Sequence, residues 1–218
     1  MSILSANQQK ILSHIAGEQS LAKRFYLTGG TALAEYYLRH RLSEDLDFFS
    51  EHEFDQQVIS AFFKKISADG GIQSVSFEQS FNRNIFFLQF VNDRIKTEFT
   101  HFPFPRIEQG PREKLIAVDS LLDIAVNKLF TIHQKPRSRD FIDLYCILQK
   151  EKEWNIDDLT QKARIKFDHH LDPLQLAAQF VKAETLKDYP TMRIPLSEKE
   201  WRGFFLREAK RLGKTQIV

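Results

Sequence analysis

Apolar and polar positions divide the chain into a mixed first half and a helical second half. Over residues 6–23, Ile11, Leu12, Ile15 and Leu21 recur at helical spacing and predict one helix with a single buried stripe. "RFYLTGG" predicts a strand stopped by a glycine turn, and "TALAEYYLRH" a helix opening at Thr31. "EDLDFFS" alternates and predicts a strand. "FDQQVISAFFKKISADGG" predicts a helix ended by Gly70 and Gly71. "IQSVSFEQ", "NIFFLQFVN" and "RIKTEFTHF" predict three strands, the last two forming a hairpin about Asn92-Asp93.

Proline and glycine then concentrate in "THFPFPRIEQGPREK", Thr100 to Lys114, which marks a joint. Beyond it the rhythm is helical throughout. "DSLLDIAVNKLFTIH" predicts a helix capped by Asp119 or Ser120, and "SRDFIDLYCILQK" another starting near Ser138. Further helices are expected near 156–167, 172–183 and 197–211, the last opened by the capping box Ser197-x-x-Glu200. The fold class is α+β, with an α/β core over residues 1–110 and a helical part over 111–218.

Composition narrows the function without naming it. The 218 residues are 42% apolar and 28% charged, as in an ordinary globular protein, and carry a net charge of only +2. Nucleic-acid binding would therefore need a local basic patch; the final "REAKRLGK" is the one weak candidate. Cys146 is the single cysteine, which excludes an intrachain disulfide and thiolate-rich metal sites; within "DLYCIL" it reads as a small buried hydrophobe. The seven histidines show no metal-ligand spacing. "MSILSANQQKILSH" lacks the basic start and apolar centre of a signal peptide, and no apolar run approaches the ~18 residues of a membrane span. The expectation is a cytoplasmic protein without membrane contact.

Chemistry concentrates at "LTGGTALAEYYLRHRLSEDLDFFS", Leu27 to Ser50. On a strand, Asp45 and Asp47 project to one face while Leu46 and Phe48 enter the core. Two carboxylates this close raise each other's pKa unless a cation sits with them. Either they are a solvated pair at a strand edge, or they hold a hard divalent ion such as Mg2+. Gly29-Gly30 favours the second reading, because glycine lets backbone N–H groups approach a phosphate at a helix start. In "RIKTEF", Arg94, Lys96 and Glu98 share a face. If that strand lies beside "DLDFF", Glu98 could be a third metal ligand or a general base; otherwise it is an ordinary cross-strand partner of Lys96.

Lys128 sits on a helix apolar around much of its circumference, so it must reach the surface, a triphosphate or a carboxylate such as Asp140. Asp140 and Asp143 share a helical face, and Arg139 and Asp143 are spaced to pair. These charges are either a helix-start cluster or, through Arg137 and Arg139, a way of steering phosphates.

Taken in order, "LTGGTAL", "RLSEDLDF", "IKTE", "DIAVNKL" and "RSRDFIDLY" resemble the AbiEii/AbiGii-type nucleotidyltransferase toxins of type IV toxin–antitoxin and abortive-infection systems, within the DNA polymerase β-like superfamily. The resemblance covers roughly residues 20–150 and implies a mixed β-sheet flanked by helices, with helical C-terminal residues closing a cleft. It implies transfer of a nucleotidyl group from an NTP with Mg2+ or Mn2+, release of pyrophosphate, and for some members the 3′ end of tRNA as acceptor. By motif position, Gly29, Gly30 and Thr31 would cradle phosphates. Asp45 and Asp47 would hold the metal, with Arg41 and Ser43 supporting their loop. Lys128 would contact the triphosphate, and Asp140 and Asp143 would complete the site. The third acid is Glu98 here, where the family more often has Asp. A cognate antitoxin encoded nearby is the implied protein partner. The rival readings are a small-molecule nucleotidyltransferase of the antibiotic-modifying type, and a non-catalytic nucleotide-binding regulator with the same fold.

Overall fold

The computed structural model describes residues 2–113 and 115–214. Its chain contacts define two compact units: one of residues 1–37, 42–105 and 109–120, the other of residues 38–41, 106–108 and 121–218. Lys114, the end of the expected joint, lies outside the described residues.

The first unit is built on a mixed sheet of seven strands: β1 (Tyr26–Thr28), β2 (Leu46–Ser50), β3 (Ser74–Ser80), β4 (Arg83–Gln89), β5 (Arg94–His101), β6 (Arg112–Glu113) and β7 (Ile116–Val118). Their order is β3-β4-β5-β2-β1-β7-β6. The β2–β5 and β1–β7 pairs are parallel and the others antiparallel. The mixed sheet agrees with the α+β reading. Two strands, β6 and β7, lie within or just after the stretch read as a joint; at two and three residues they are too short to show alternation.

The expected helix over 6–23 is two helices, α1 (Ala6–Gly17) and α2 (Gln19–Arg24), broken where Glu18 turns extended at ψ 98°. The helix expected from Thr31 begins two residues earlier. Gly29–Ala32 forms α3, which runs on as a π-helical segment, Leu33–Leu38. The glycines are thus the first helical residues, and Thr28 is the cap. α4 (Gln56–Gly70) is capped by Asp55 and ends at Gly71 with φ +72°. It turns Ile59, Phe62, Phe63 and Ile66 inward. Phe63 packs on Phe86 at 5.1 Å, and Phe99 lies against Phe48 at 5.0 Å. This aromatic layer is the core behind the sheet, and its fully buried rings each contribute about 2–3 kcal/mol.

The second unit is helical: α5 (Leu121–Gln134), α6 (Ser138–Lys150), α7 (Ile156–Phe167), α8 (Pro173–Val181) and α9 (Glu198–Lys214). Phe141, Phe180, Trp201 and Phe205 form its aromatic centre. α8 is shorter than expected because residues 182–184 tighten into a 3-10 turn. α5 begins directly after Ser120, and Asp119 accepts the Thr28 hydroxyl at 2.6 Å. Asp123 of α5 takes the N–H groups of Ile107 and Glu108 and the Lys166 ammonium at 2.6 Å, which ties residues 106–108 to the helices.

Candidate active site

The glycine turn and the aspartate strand are built onto each other. β1 and β2 pair with Thr28 opposite Asp47. Gly29 turns away from β1 at φ +71°, a conformation that L side chains rarely adopt. A Cβ at Gly29 would stand 2.7 Å from Asp47 Oδ2. Two residues on, the Thr31 hydroxyl donates to the Asp45 carbonyl. Thr31 is fully buried, and its hydroxyl holds the turn against the strand. Gly29 and Gly30 are half-buried.

Asp45 and Asp47 flank buried Leu46 and are both half-buried. β5 lies beside β2 in parallel register with Glu98 opposite Asp47, so the three acids share one region of the sheet face. Two cations stand among them. The Lys96 ammonium is 3.0 Å from Asp45 Oδ2 and 3.6 Å from Glu98 Oε2. Arg83 grips both Glu98 oxygens at 2.6 and 2.5 Å, and the Thr100 hydroxyl donates to Glu98 at 3.0 Å. Burial alone would push the Glu98 carboxyl up. The Arg83 bond and charge, with Lys96, reverse this and hold it below the ordinary carboxylate value. Arg83 is in turn raised, first by its bond to Glu98 and then by the charges of Glu98, Asp47 and Asp45.

This geometry separates the acids by role. Glu98 is a buried carboxylate committed to a bidentate guanidinium. Among the described residues, no group of three or more His, Cys, Asp or Glu side chains is placed to hold a metal ion. Asp45 and Asp47 remain as a hard-oxygen pair, with the Asp45 side chain 30% exposed. That donor set fits a Mg2+-like ion, which takes one or two protein carboxylates and completes its shell from phosphate and water; it does not fit an all-protein cage.

The remaining expected residues have partners of their own. The carbonyls of Ser43 and Glu44 accept from the Gln8 side chain at 2.9 and 3.0 Å, which fixes the approach to Asp45. Arg41, Lys128, Asp140 and Asp143 belong to the helical unit and form one buried network. Asp143 receives Arg41 at 2.6 and 2.8 Å, the Lys128 ammonium at 2.7 Å and His40 Nε2 at 2.8 Å. Lys128 also meets Asp140 at 2.8 Å, and Asp140 accepts the N–H of Arg137 at the start of α6. Burial would raise Asp143, but the charges of Lys128 and Arg41 hold it well below the ordinary value. Burial would lower Lys128, but Asp143 and Asp140 raise it. Arg139 is half-buried, and the pairing with Asp143 expected from spacing is replaced by these partners. Cys146 is half-buried, and burial, followed by the Asp143 charge, pushes its thiol up to about 12.

Arg83 and His40 were not singled out in the sequence. Arg83 was not legible: a two-residue turn at Asn92-Asp93 would set Val91 opposite Arg94, whereas the strands pair Gln89 with Arg94, and only that register puts Arg83 opposite Thr100, diagonal to Glu98. His40 carries no local signal, because its partner Asp143 is 103 residues away.

The family model described as "Nucleotidyl transferase AbiEii toxin, Type IV TA system" matches residues 10–213, well beyond the stretch that carries the motifs. The chain belongs to this family and is a nucleotidyltransferase. It is 30% identical over 213 residues to the uncharacterised protein aq_aa25 of Aquifex aeolicus (strain VF5), spanning 95% of this chain and 96% of that one. The crystal structure of JHP933 from Helicobacter pylori shares the fold at TM-score 0.58 and 20% identity, covering 97% of this chain and 94% of the other. A second Helicobacter pylori structure matches with TM-score 0.56, 20% identity and 97% of each chain. No helix among the described residues is long and apolar enough to cross a membrane.

Proposed function

We propose that the protein transfers a nucleotidyl group from an NTP to an RNA hydroxyl, with the tRNA 3′ end as the favoured acceptor, as the toxin of a type IV pair whose antitoxin is encoded nearby. The observation that carries the reading is the contact between Gly29 and Asp47, which makes the turn and the carboxylate pair one unit. The family membership supplies the reaction class.

Asp45 and Asp47 would hold Mg2+, which would neutralise phosphate charge as a Lewis acid. Glycine at positions 29 and 30 would let backbone N–H groups approach the triphosphate beside them. Transfer forms a bond between the acceptor oxygen and the α-phosphorus, breaks the bond to the β-phosphate oxygen and releases pyrophosphate. Glu98 acts here as a positioning residue: it holds Arg83, and both stand over the face that bears the aspartates. Lys96, whose ammonium lies 3.0 Å from Asp45, would turn to a phosphate when a metal takes its place.

The test is incubation of purified protein with total RNA and each labelled NTP, with and without Mg2+. Metal-dependent label in an RNA species, concentrated in tRNA, is expected. Label only in small molecules would favour the antibiotic-modifying type of transferase. NTP binding without transfer to either would favour the non-catalytic regulator.

A further inference from the structure

The outer edge of the sheet is open. β3 is a terminal strand, pairs only with β4 among the described residues, and is exposed at all seven positions. Natural edge strands are usually blunted by lysine, proline, a bulge or a covering helix, since their unpaired N–H and C=O groups template another strand. The β3 sequence Ser74–Ser80, "SVSFEQS", has no lysine and no proline, and Glu78 is its single charge. It also shows apolar surface: Val75 is 37% exposed and Phe77 is 40% exposed. At its end the chain turns through Phe81, which has φ +53° and is 97% exposed.

The strand can pair with a second copy of itself without bringing like charges together. In an antiparallel pairing centred on Phe77, Phe77 meets Phe77 of the other copy, Ser74 meets Ser80, Val75 meets Gln79, and Glu78 meets Ser76. The two glutamates therefore never face each other, and an aromatic pair lies on the two-fold axis, where cross-strand aromatic contacts stabilise pairing. We propose that β3 is a self-association edge, which joins two copies of this chain through antiparallel β3–β3 pairing into one continuous sheet. Seven residues bury less than a standard interface of about 1,600 Å², so the association is weak and depends on protein concentration.

The register makes the proposal testable by charge. Sedimentation equilibrium of the full chain from micromolar to near-millimolar concentration should show a monomer–dimer equilibrium. Ser76→Glu places a carboxylate opposite Glu78 twice per dimer and should weaken association roughly threefold to tenfold. Ser76→Lys places an ammonium there and should strengthen it by a similar factor. Ser76→Glu combined with Glu78→Lys should restore association. Position 76 is exposed, so equal melting temperatures are expected and confirm that the fold is kept. A wild-type chain that stays monomeric throughout, or Ser76→Glu and Ser76→Lys shifting the equilibrium in the same direction, would overturn it.

Discussion

Gly29 shows how one backbone position can hold a site together. Its positive φ already disfavours a side chain, at a cost of about 1–3 kcal/mol. The sharper constraint is the atom it faces, because an added methyl group would meet Asp47 Oδ2 at 2.7 Å. That oxygen ends a flexible side chain and can swing aside, so Gly29→Ala should damage the site more than the fold. Nucleotide transfer should fall at least tenfold, while thermal unfolding shifts by only a few degrees. Gly17→Ala is the matched control, since nothing lies within 4 Å of a Cβ there. Equal activity in the two variants would separate the glycine from the site. The reason Gly29 must be glycine was half legible in the sequence. The turn was readable, but its contact with Asp47 depends on the β1–β2 register, which no short turn specifies.

At the scale of elements, α5 and α6 are joined by charge as well as by apolar packing. Asp143, whose side chain is fully buried, sits among Arg41, Lys128 and His40. Asp143→Asn keeps the shape and removes the charge, leaving two buried cations short of a partner; a loss of about 3–5 kcal/mol is expected in chemical denaturation. The pH dependence follows from the direction of the shift. The folded-state pKa of Asp143 lies below the ordinary 3.8, so its stabilisation is complete above that value and is lost as the pH falls below it. Glu98 acts in the same direction from the ordinary 4.5. Wild-type melting temperature should therefore hold above about pH 5 and drop steeply in acid, while Asp143→Asn starts lower and falls less steeply. Parallel acid profiles would show that Asp143 is not the group responsible. Helical periodicity made α5 and α6 legible, and it left Lys128 to reach the surface, a triphosphate or a carboxylate such as Asp140. That Asp143 rather than Asp140 is the centre of the network was not legible, because Arg41 approaches it from a distant part of the chain.

For the molecule as a whole, alternation and helical spacing foretold a mixed half and a helical half, and both are present. What they could not supply was strand order. β2 and β5 are parallel neighbours although α4, β3 and β4 intervene, and that pairing places Glu98 beside Asp47. The β4–β5 pairing brings Glu98 within reach of Arg83, which holds both its oxygens. The central claim is that Asp45 and Asp47 carry nucleotidyl transfer at the glycine corner. The most direct measurement is labelled-nucleotide transfer by Asp47→Asn beside wild type, at matched melting temperatures and saturating Mg2+. Loss of roughly a hundredfold or more is expected, because a neutral amide cannot replace a charged metal ligand. Wild-type transfer by a folded Asp47→Asn protein would contradict the account.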